Sequence, residues 1–266
     1  MSTATLNPPS NRSSERLDLT GVDFDRFRRD PLDEDTLRCL RYMHDVERHT
    51  VCYLRDVLVT SAHREPDLTT FMTFWVYQEH WHGEAIGRVL EAHDEPGSDA
   101  RVAAVRERLG LLDRLMPMGT MIASALTPHV PTVHMTWGAV NEWTTQAAYT
   151  RLARRSGHPV LGELVGRIAR QEGLHIAFYA DQARRRLADS AVARRLTHFA
   201  LRRLWTPVGS GLMPESEVRH VARHLFSGPD GSATVSRVDR RVQSLPGLDG
   251  LDLLGSAARR LGASAA

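Results

Sequence analysis

Two copies of the sequence Glu-x-x-His are the residues of this chain best suited to chemistry. Residues three apart on an α-helix lie on the same face, with about 5 Å between their Cβ atoms, so both side chains can reach one ion. Each copy follows an isolated Glu, and the set consists of Glu47, Glu79, His82, Glu142, Glu172 and His175. Four carboxylates and two imidazoles favour iron or manganese over a thiolate-type zinc site.

The separations between these residues predict two helical hairpins. Glu79 follows Glu47 by 32 residues, Glu142 follows Glu79 by 63, and Glu172 follows Glu142 by 30. The short separations fit one hairpin each, and the long one fits a crossover. Ferritin-like di-iron and di-manganese proteins have this arrangement, with one Glu from each of two helices and Glu-x-x-His from each of the others. We therefore expect an all-α fold with a ferritin-like four-helix bundle core and additional flanking helices.

Each proposed ligand interrupts an apolar or uncharged helical face, as a residue directed into a bundle should. Before the two motifs these faces contain Leu68, Met72 and Trp75, and Leu161, Val165 and Ile168. A single buried His is more often a hydrogen-bonded core residue, and a single Glu a surface charge. Six such residues together favour a dinuclear metal site, because four converging carboxylates are very costly without cations.

A third Glu-x-x-His, Glu217 to His220, has no partner Glu on a preceding helix. Its two residues lie beside the apolar seam of Val218, Val221 and Leu225. We interpret this pair as a solvated helix edge. The motif alone is therefore weak, and the apolar context distinguishes the other two copies.

The chain of 266 residues and 29.8 kDa predicts a flexible N-terminal arm at 1–33 and a single ferritin-like di-iron helical domain at 34–266. Within that domain the first helix is expected to run to about Ser61, and a third helical stretch, about 99 to 125, to be interrupted near Pro117. A Gly- and Ser-rich break is expected at 227–234. The other predicted helices are about 67 to 92, one that ends at Ser156, and about 160 to 188, 190 to 204 and 214 to 226.

Composition indicates where the protein works. Cys39 and Cys52, thirteen residues apart on one predicted helix, would be about 20 Å apart and unpaired, which fits a reducing cytosol. There is no run of eighteen apolar residues and no hydrophobic N-terminal segment, so we expect a cytoplasmic protein without a membrane span.

The net charge of +2 does not indicate that the protein binds nucleic acid. Local Arg clusters at 184–186, 194–195 and 202–203 fit a solvated helix face, or a surface that attracts an acidic protein.

The motifs resemble those of the soluble acyl-carrier-protein desaturases. That family usually has Glu-Glu-Asn-Arg-His-Gly and Asp-Glu-Lys-Arg-His-Glu where this chain has Gln-Glu-His-Trp-His-Gly at 78–83 and Gln-Glu-Gly-Leu-His-Ile at 171–176. Trp75 stands four residues before the first motif Glu, as in the family, and Thr145 stands three after Glu142. The resemblance covers most of residues 35–260.

The resemblance implies that the six residues bind two Fe²⁺ ions, with manganese as an alternative, and that Glu79 and Glu172 bridge them. It implies that Thr145 manages protons during O₂ activation. The substrate would be an acyl chain on acyl carrier protein, a ferredoxin-type donor would supply electrons, and the protein would be a homodimer. Phe74, Met118, Met121 and Met135 are candidates for a chain-binding tunnel, although Met is more often a core residue.

Three departures from the family pattern concern the surroundings of the ligands. Gln171 replaces an Asp that is expected to hold the metal-bound His of the opposite motif, and Gln78 and Trp81 also replace charged residues. Such partners tune ligand basicity. A di-iron hydroxylase or N-oxygenase acting on a small or carrier-tethered substrate is therefore an alternative. A non-catalytic ferritin-like metal-binding protein is a third interpretation.

Overall fold

The computed structural model describes residues 15–263, the side chains of 111–114 excepted. These residues form α-helices, and their only extended pairing is an isolated bridge between Ser210 and Met213. The predicted all-α class is confirmed. The helices are α1 (Asp25–Arg29), α2 (Glu34–Glu47), α3 (Thr50–Leu58), α4 (Pro66–Glu91), α5 (Ser98–Glu107), α6 (Leu111–Leu126), α7 (Val130–Ser156), α8 (Pro159–Asp189), α9 (Ala191–Leu204), α10 (Glu215–Phe226), α11 (Gly228–Gln243) and α12 (Leu253–Arg260), with a 3-10 turn at Ser61–Arg64.

The four helices that carry the predicted ligands contact one another in a ring. Helix α2 packs on α4, α4 on α8, α8 on α7, and α7 on α2. Helices α7 and α8 approach closely at Gly138, where a Cβ atom would overlap the ring of Tyr179. This ring of contacts positions the site, and the ferritin-like four-helix bundle core stays a prediction.

Several helix ends follow the sequence signals. Helix α7 ends at Gly157, which has a left-handed φ of 62°, and α8 begins at Pro159. A Gly after the last turn and a Pro at the first helical position suit these places because of their backbone preferences. Asp33 caps α2 by accepting a hydrogen bond from the Thr36 amide at 2.9 Å. The expected bounds of α4, α8, α9 and α10 are confirmed to within one or two residues.

Three predicted boundaries are wrong. The first helix does not continue to Ser61, because a turn at residues 48–49 separates α2 from α3. The third stretch is interrupted at residues 108–110, which include Gly110, while Pro117 lies inside α6. The segment 227–234 is not a break, because Pro229 and Asp230 occupy the first turn of α11, where both residue types favour helix formation.

Part of the predicted N-terminal arm packs on the helices. Residues 1–14, like 264–266, lie outside the described residues, but Leu17 and Phe27 are buried, with 4% and 0% of their surface exposed. The ring of Phe27 stacks on His158 with centroids 4.6 Å apart. From residue 15 onward the segment is therefore in contact with the domain. The apolar residues that hold it are too widely spaced to show a helical period, so the sequence did not predict this contact.

Within residues 15–263, no helix is both long enough and apolar enough to cross a membrane. Cys39 and Cys52 lie on two helices, α2 and α3, and not on one helix as the sequence predicted. Helix α6 exposes a set of large apolar side chains, namely Leu115, Met116, Met118, Met121, Ile122 and Leu126.

Candidate metal centre

The six predicted ligands come together in the interior. They lie on four helices, α2, α4, α7 and α8, and none is more than 5% exposed. Together they form what we call the carboxylate–histidine cluster: Glu47, Glu79, His82, Glu142, Glu172 and His175. The Glu-x-x-His spacing places both residues of each motif on one helix face, as the sequence predicted.

The cluster divides into two groups, each with ligand atoms that all lie within 4.8 Å of one another. One group contains Glu47 and His82, and the other contains Glu142 and His175. Glu79 and Glu172 belong to both groups. Each group therefore has three carboxylates and one imidazole within the span of a single ion.

The two shared carboxylates lie between the histidines. Glu79 directs Oε2 to His82 Nδ1 at 3.3 Å and Oε1 to His175 Nδ1 at 3.1 Å. Glu172 directs Oε1 to His82 Nδ1 at 3.2 Å and Oε2 to His175 Nδ1 at 2.9 Å. Each of these carboxylates offers one oxygen to each group. This geometry is suited to carboxylates that bridge two ions.

Two glutamines orient the imidazoles from outside the cluster. His82 Nε2 lies 2.9 Å from Gln171 Oε1, and His175 Nε2 lies 2.8 Å from Gln78 Oε1. A carbonyl oxygen only accepts hydrogen bonds, so Nε2 carries a proton in both histidines, and Nδ1 faces the carboxylates. The expected contact from residue 171 to the opposite motif is present, with an amide in place of a carboxylate. The equivalent contact from Gln78 was not foreseen, although Gln78 holds the same position in its own motif.

The side-chain amides of both glutamines meet at one backbone carbonyl. Gln78 Nε2 and Gln171 Nε2 donate to the carbonyl oxygen of Glu15, at 3.3 and 3.1 Å. The N-terminal segment is anchored nearby, because the guanidinium of Arg16 lies 3.6 Å from the centre of the Trp81 ring. The segment thus joins the two histidine partners, and this connection has no signal in the local sequence.

The remaining two carboxylates each accept a hydrogen bond from an aromatic residue. Trp75 Nε1 donates to Glu142 Oε1 at 2.9 Å, and the Tyr149 hydroxyl donates to Glu47 Oε1 at 2.5 Å. Trp75 was noted for its position before the first motif. Tyr149 was not predicted to contact the cluster, although it lies seven residues after Glu142 and therefore on the same side of α7.

Burial and mutual repulsion redistribute protons within the cluster. Burial, and then the charge of Glu79, raise the pKa of Glu47 well above its ordinary value; burial and the charge of Glu172 do the same for Glu142. Burial also acts to raise the pKa of Glu79, but hydrogen bonds from Glu47 and the histidines outweigh it and hold this pKa well below the ordinary value.

In Glu172 and the two histidines, burial and hydrogen bonds also shift the pKa in opposite directions. Burial and the charge of Glu79 act to raise the pKa of Glu172, but the hydrogen bond from His175 and the nearby His82 imidazole leave it lowered. Burial acts to lower the pKa of both histidines, but hydrogen bonds to Glu172 and Glu79 raise it, for His175 to about 9. A metal ion would compete with protons for these carboxylates and imidazoles, so metal binding should release protons.

The donor set fits a metal ion. Glu172 Oε1 is buried without a hydrogen-bond partner, even though His82 Nδ1 lies within 3.2 Å. Four buried carboxylates face only two imidazoles, and such charge is strongly disfavoured unless it is paired or bound to a metal. Oxygen donors with imidazole nitrogens suit iron and manganese. The cluster can therefore hold metal, with Glu and His as ligands and the Gln, Trp and Tyr partners around them.

An apolar cavity reaches the cluster at Glu47. Its empty space is about 670 Å³, including the part open to solvent, and it touches Glu47, Thr145 and Tyr149. Thr145 lies one turn after Glu142 and is half-buried. The rest of the wall is mainly apolar and comes from α2, α7, α10, α12 and the segment before α10, including Met43, Val46, Ala148, Val208, Val218, Val221, Phe226, Leu254 and Leu261.

The residues proposed from the sequence as a tunnel do not line this cavity. Met118 and Met121 lie on α6 and are about half exposed, at 54% and 52%, whereas Met135 is fully buried. Phe74 is half-buried on α4. Their positions could not be distinguished by apolar character alone, because core, cavity and surface contacts all use Met and Phe.

The third Glu-x-x-His is not simply a solvated helix edge. Glu217 forms a two-point ion pair with Arg38, at 2.6 and 2.8 Å. The side chain of His220 is only 15% exposed and lies near Asp35 and His224. None of these residues belongs to the carboxylate–histidine cluster.

Fold and site together define an all-α protein with a buried carboxylate–histidine cluster that can hold metal and that an apolar cavity approaches. In comparisons with known proteins, no family model, no curated protein and no solved structure matches this chain.

Proposed function

We propose that this protein is an O₂-dependent di-iron oxidoreductase, a divergent relative of the soluble acyl-carrier-protein desaturases. It would desaturate an acyl chain carried on acyl carrier protein, with electrons from a ferredoxin-type donor. The observation that carries the proposal is the arrangement of two overlapping ligand groups, with Glu79 and Glu172 between them, next to an apolar cavity.

In this proposal, different residues of the chain have different roles. Four carboxylates and two imidazoles bind the two Fe²⁺ ions, while Gln78 and Gln171 fix the imidazoles. The apolar wall of the cavity receives the chain and excludes water. The Thr145 hydroxyl, in the same cavity wall as Glu47, would hold or pass a proton. When bound, the iron would activate O₂ for reduction to water. This reduction takes four electrons, two from the donor and two from the acyl chain as it loses two hydrogens.

The cavity favours desaturation of an acyl chain over the alternatives. Its wall is largely apolar, which suits methylene groups better than a substrate nitrogen that needs hydrogen bonds. Hydroxylation of the same chain would use the same site, and analysis of the product distinguishes the two reactions. A protein that only stores metal has no use for an apolar cavity that ends at Glu47.

Metal content and activity test the proposal together. After anaerobic loading with Fe²⁺ we expect two irons per chain, and loss of both metal and activity in Glu172→Ala. Glu163→Ala is the matched control, because Glu163 lies on the same helix but forms a surface ion pair with Arg167. Activity is measured on a panel of acyl carrier proteins with different chains. Two irons without any acyl product would contradict the desaturase, and an unchanged Glu172→Ala variant would contradict the ligand set.

An arginine-lined groove supports docking of the proposed carrier protein. Between α7 and α11 the groove is lined by Arg151, Arg154, Arg237 and Arg241. Acidic partners are attracted to such surfaces, and the attraction is screened by salt. Arg154→Glu together with Arg237→Glu should raise KM for the carrier-bound substrate and remove its salt dependence. An unchanged KM would exclude this groove as the docking surface.

The exposed apolar face of α6 supports the proposed homodimer. Large apolar patches on a surface often mark sites of association. Ile122→Glu on α6 should shift the protein to a monomer in size-exclusion chromatography with light scattering. Val192→Glu on α9 is the control, since both side chains are 57% exposed. A wild-type monomer, or a dimer that survives Ile122→Glu, would contradict this interface.

A further inference from the structure

Three side chains outside the carboxylate–histidine cluster converge at the start of α2 and the end of α10. His220 and His224 are four residues apart on α10, and Asp35 lies in the first turn of α2. Each offers one ligand atom, and these atoms all lie within 4.8 Å of one another. The two imidazole rings are nearly parallel, with an angle of 11° and centroids 5.7 Å apart.

The nearest other carboxylate is already paired, and Asp35 and His220 lie close to each other. Glu217, which precedes His220 by one turn, is occupied by Arg38 through both carboxylate oxygens. Oδ1 of Asp35 lies 3.7 Å from Nε2 of His220, close enough for one ion to lie between them after a small movement. Histidines at i and i+4 can reach the same ion from one helix face.

One neighbour opposes a cation at this place. Arg155 is exposed, and its Nε lies 3.4 Å from Nε2 of His224. Burial, and then the charge of Arg155, lower the pKa of His224, and the lone pair of His224 Nε2 accepts the hydrogen bond from Arg155. The guanidinium is on a long side chain at the surface and can withdraw when an ion binds.

We propose that Asp35, His220 and His224 form a second metal site that binds one Zn²⁺ ion. Two imidazoles and one carboxylate are a common ligand set for zinc, with water in the fourth, open position. This site shares no ligand with the carboxylate–histidine cluster and does not depend on the proposed function.

A zinc ion here would link two helices that form the wall of the apolar cavity. Helix α2 contributes Met43 to that wall, and α10 contributes Val218 and Val221. In the protein without zinc, the two helices are already joined by the Arg38–Glu217 ion pair. The ion would add a second connection, so zinc should raise the melting temperature of the protein even when the carboxylate–histidine cluster is disabled.

Zinc titration of the full-length protein tests the site. His224→Ala and Asp35→Asn should each weaken binding of one Zn²⁺ per chain by more than about tenfold, since even the outer partners of a ligand change metal affinity by that much. His198→Ala on α9 is the control and should bind zinc as the wild type does. The Glu172→Ala variant should keep this one zinc while losing metal from the cluster.

Arg155→Ala provides a test in the opposite direction. Removal of the cation beside His224 should tighten zinc binding at this site and leave iron binding at the cluster unchanged. This variant replaces an exposed side chain, so folding is not at risk. Equal zinc affinity in the wild type, His224→Ala and Arg155→Ala would overturn the proposal.

Discussion

Nε2 of His175 lies 2.8 Å from Oε1 of Gln78, the residue that immediately precedes Glu79 in the other motif. Gln171 makes the same contact with His82. Each motif therefore contributes its Glu and His to the cluster and orients the opposite histidine with its Gln. Both partners are neutral, so they hold the imidazoles without adding negative charge around four carboxylates.

We expect Gln78→Ala and Gln171→Ala each to lower the affinity for Fe²⁺ by about 10- to 100-fold, which is the usual effect of losing a partner of a metal-bound histidine. Affinity is measured by competition with a chelating indicator under anaerobic conditions. Gln146→Ala is the control, because Gln146 donates to the Ala169 carbonyl and not to a histidine. Unaltered affinity in both variants would show that these contacts do not position the ligands.

Tyr149→Phe removes the hydroxyl that donates to Glu47. Loss of this orienting bond should weaken the second equivalent of Fe²⁺ by about tenfold while the other equivalent binds as before. The comparison variant is Tyr53→Phe, whose hydroxyl donates to the His134 carbonyl. Stepwise anaerobic titration measures both equivalents, and the same titration curve for Tyr149→Phe and Tyr53→Phe would contradict the prediction.

Thr145→Val keeps the shape of the side chain and removes its hydroxyl. We expect iron content to stay at the wild-type level and turnover to fall by about 100-fold, the scale of a lost proton-transfer group. Thr150→Val, on the same helix, removes a hydroxyl that only donates to the Gln146 carbonyl. Steady-state rates are measured with iron-loaded protein. Equal rates in the two variants would show that Thr145 does not transfer a proton in the reaction.

Gly138→Ala should destabilise the protein by about 1–3 kcal/mol, because the added methyl group overlaps the Tyr179 ring and overpacking has this cost. Gly162→Ala in α8 has no atom within 4 Å of the new methyl group, so it should be neutral or stabilise by up to about 1 kcal/mol. Urea denaturation of both variants measures the difference. If Gly138→Ala is as stable as Gly162→Ala, the contact between α7 and α8 is looser than described.

The thiol of Cys39 should be unreactive in the folded protein. It is fully buried, and burial raises its pKa to about 12, so little thiolate exists at neutral pH. Ellman's reagent should therefore detect at most one thiol in the native chain, Cys52, and two after unfolding. Native Cys52→Ser should give no reaction, and rapid labelling of that variant would mean that α2 opens locally.

The sequence could predict the members of the carboxylate–histidine cluster because the signal for each of them is local. A Glu and a His three residues apart share a helix face, and an apolar stripe around them, such as Leu68, Met72 and Trp75, shows that the face is buried. The same reasoning located the end of α7 at Gly157. These features depend on one helix at a time.

The rest of the site depends on contacts between distant segments. Nothing near Glu15 indicates that its carbonyl accepts bonds from two glutamines, 63 and 156 residues away. The turn after Glu47 contains neither Gly nor Pro, so no local signal marks it. Pro117 was expected to interrupt a helix, but α6 is largely exposed, and the backbone carbonyl that loses its partner there can reach water.

Glu47 is the last residue of α2, and its backbone carbonyl accepts a hydrogen bond from the Thr50 hydroxyl at 2.8 Å. The other three carboxylates of the cluster lie in helix interiors, where movement would require several backbone hydrogen bonds to break. Glu47 alone lies at a helix terminus, on the side where the cavity meets the cluster. We therefore expect ions to be loaded and exchanged past Glu47, so that the kinetic lability of the centre is set by one hinge beside the turn at residues 48–49.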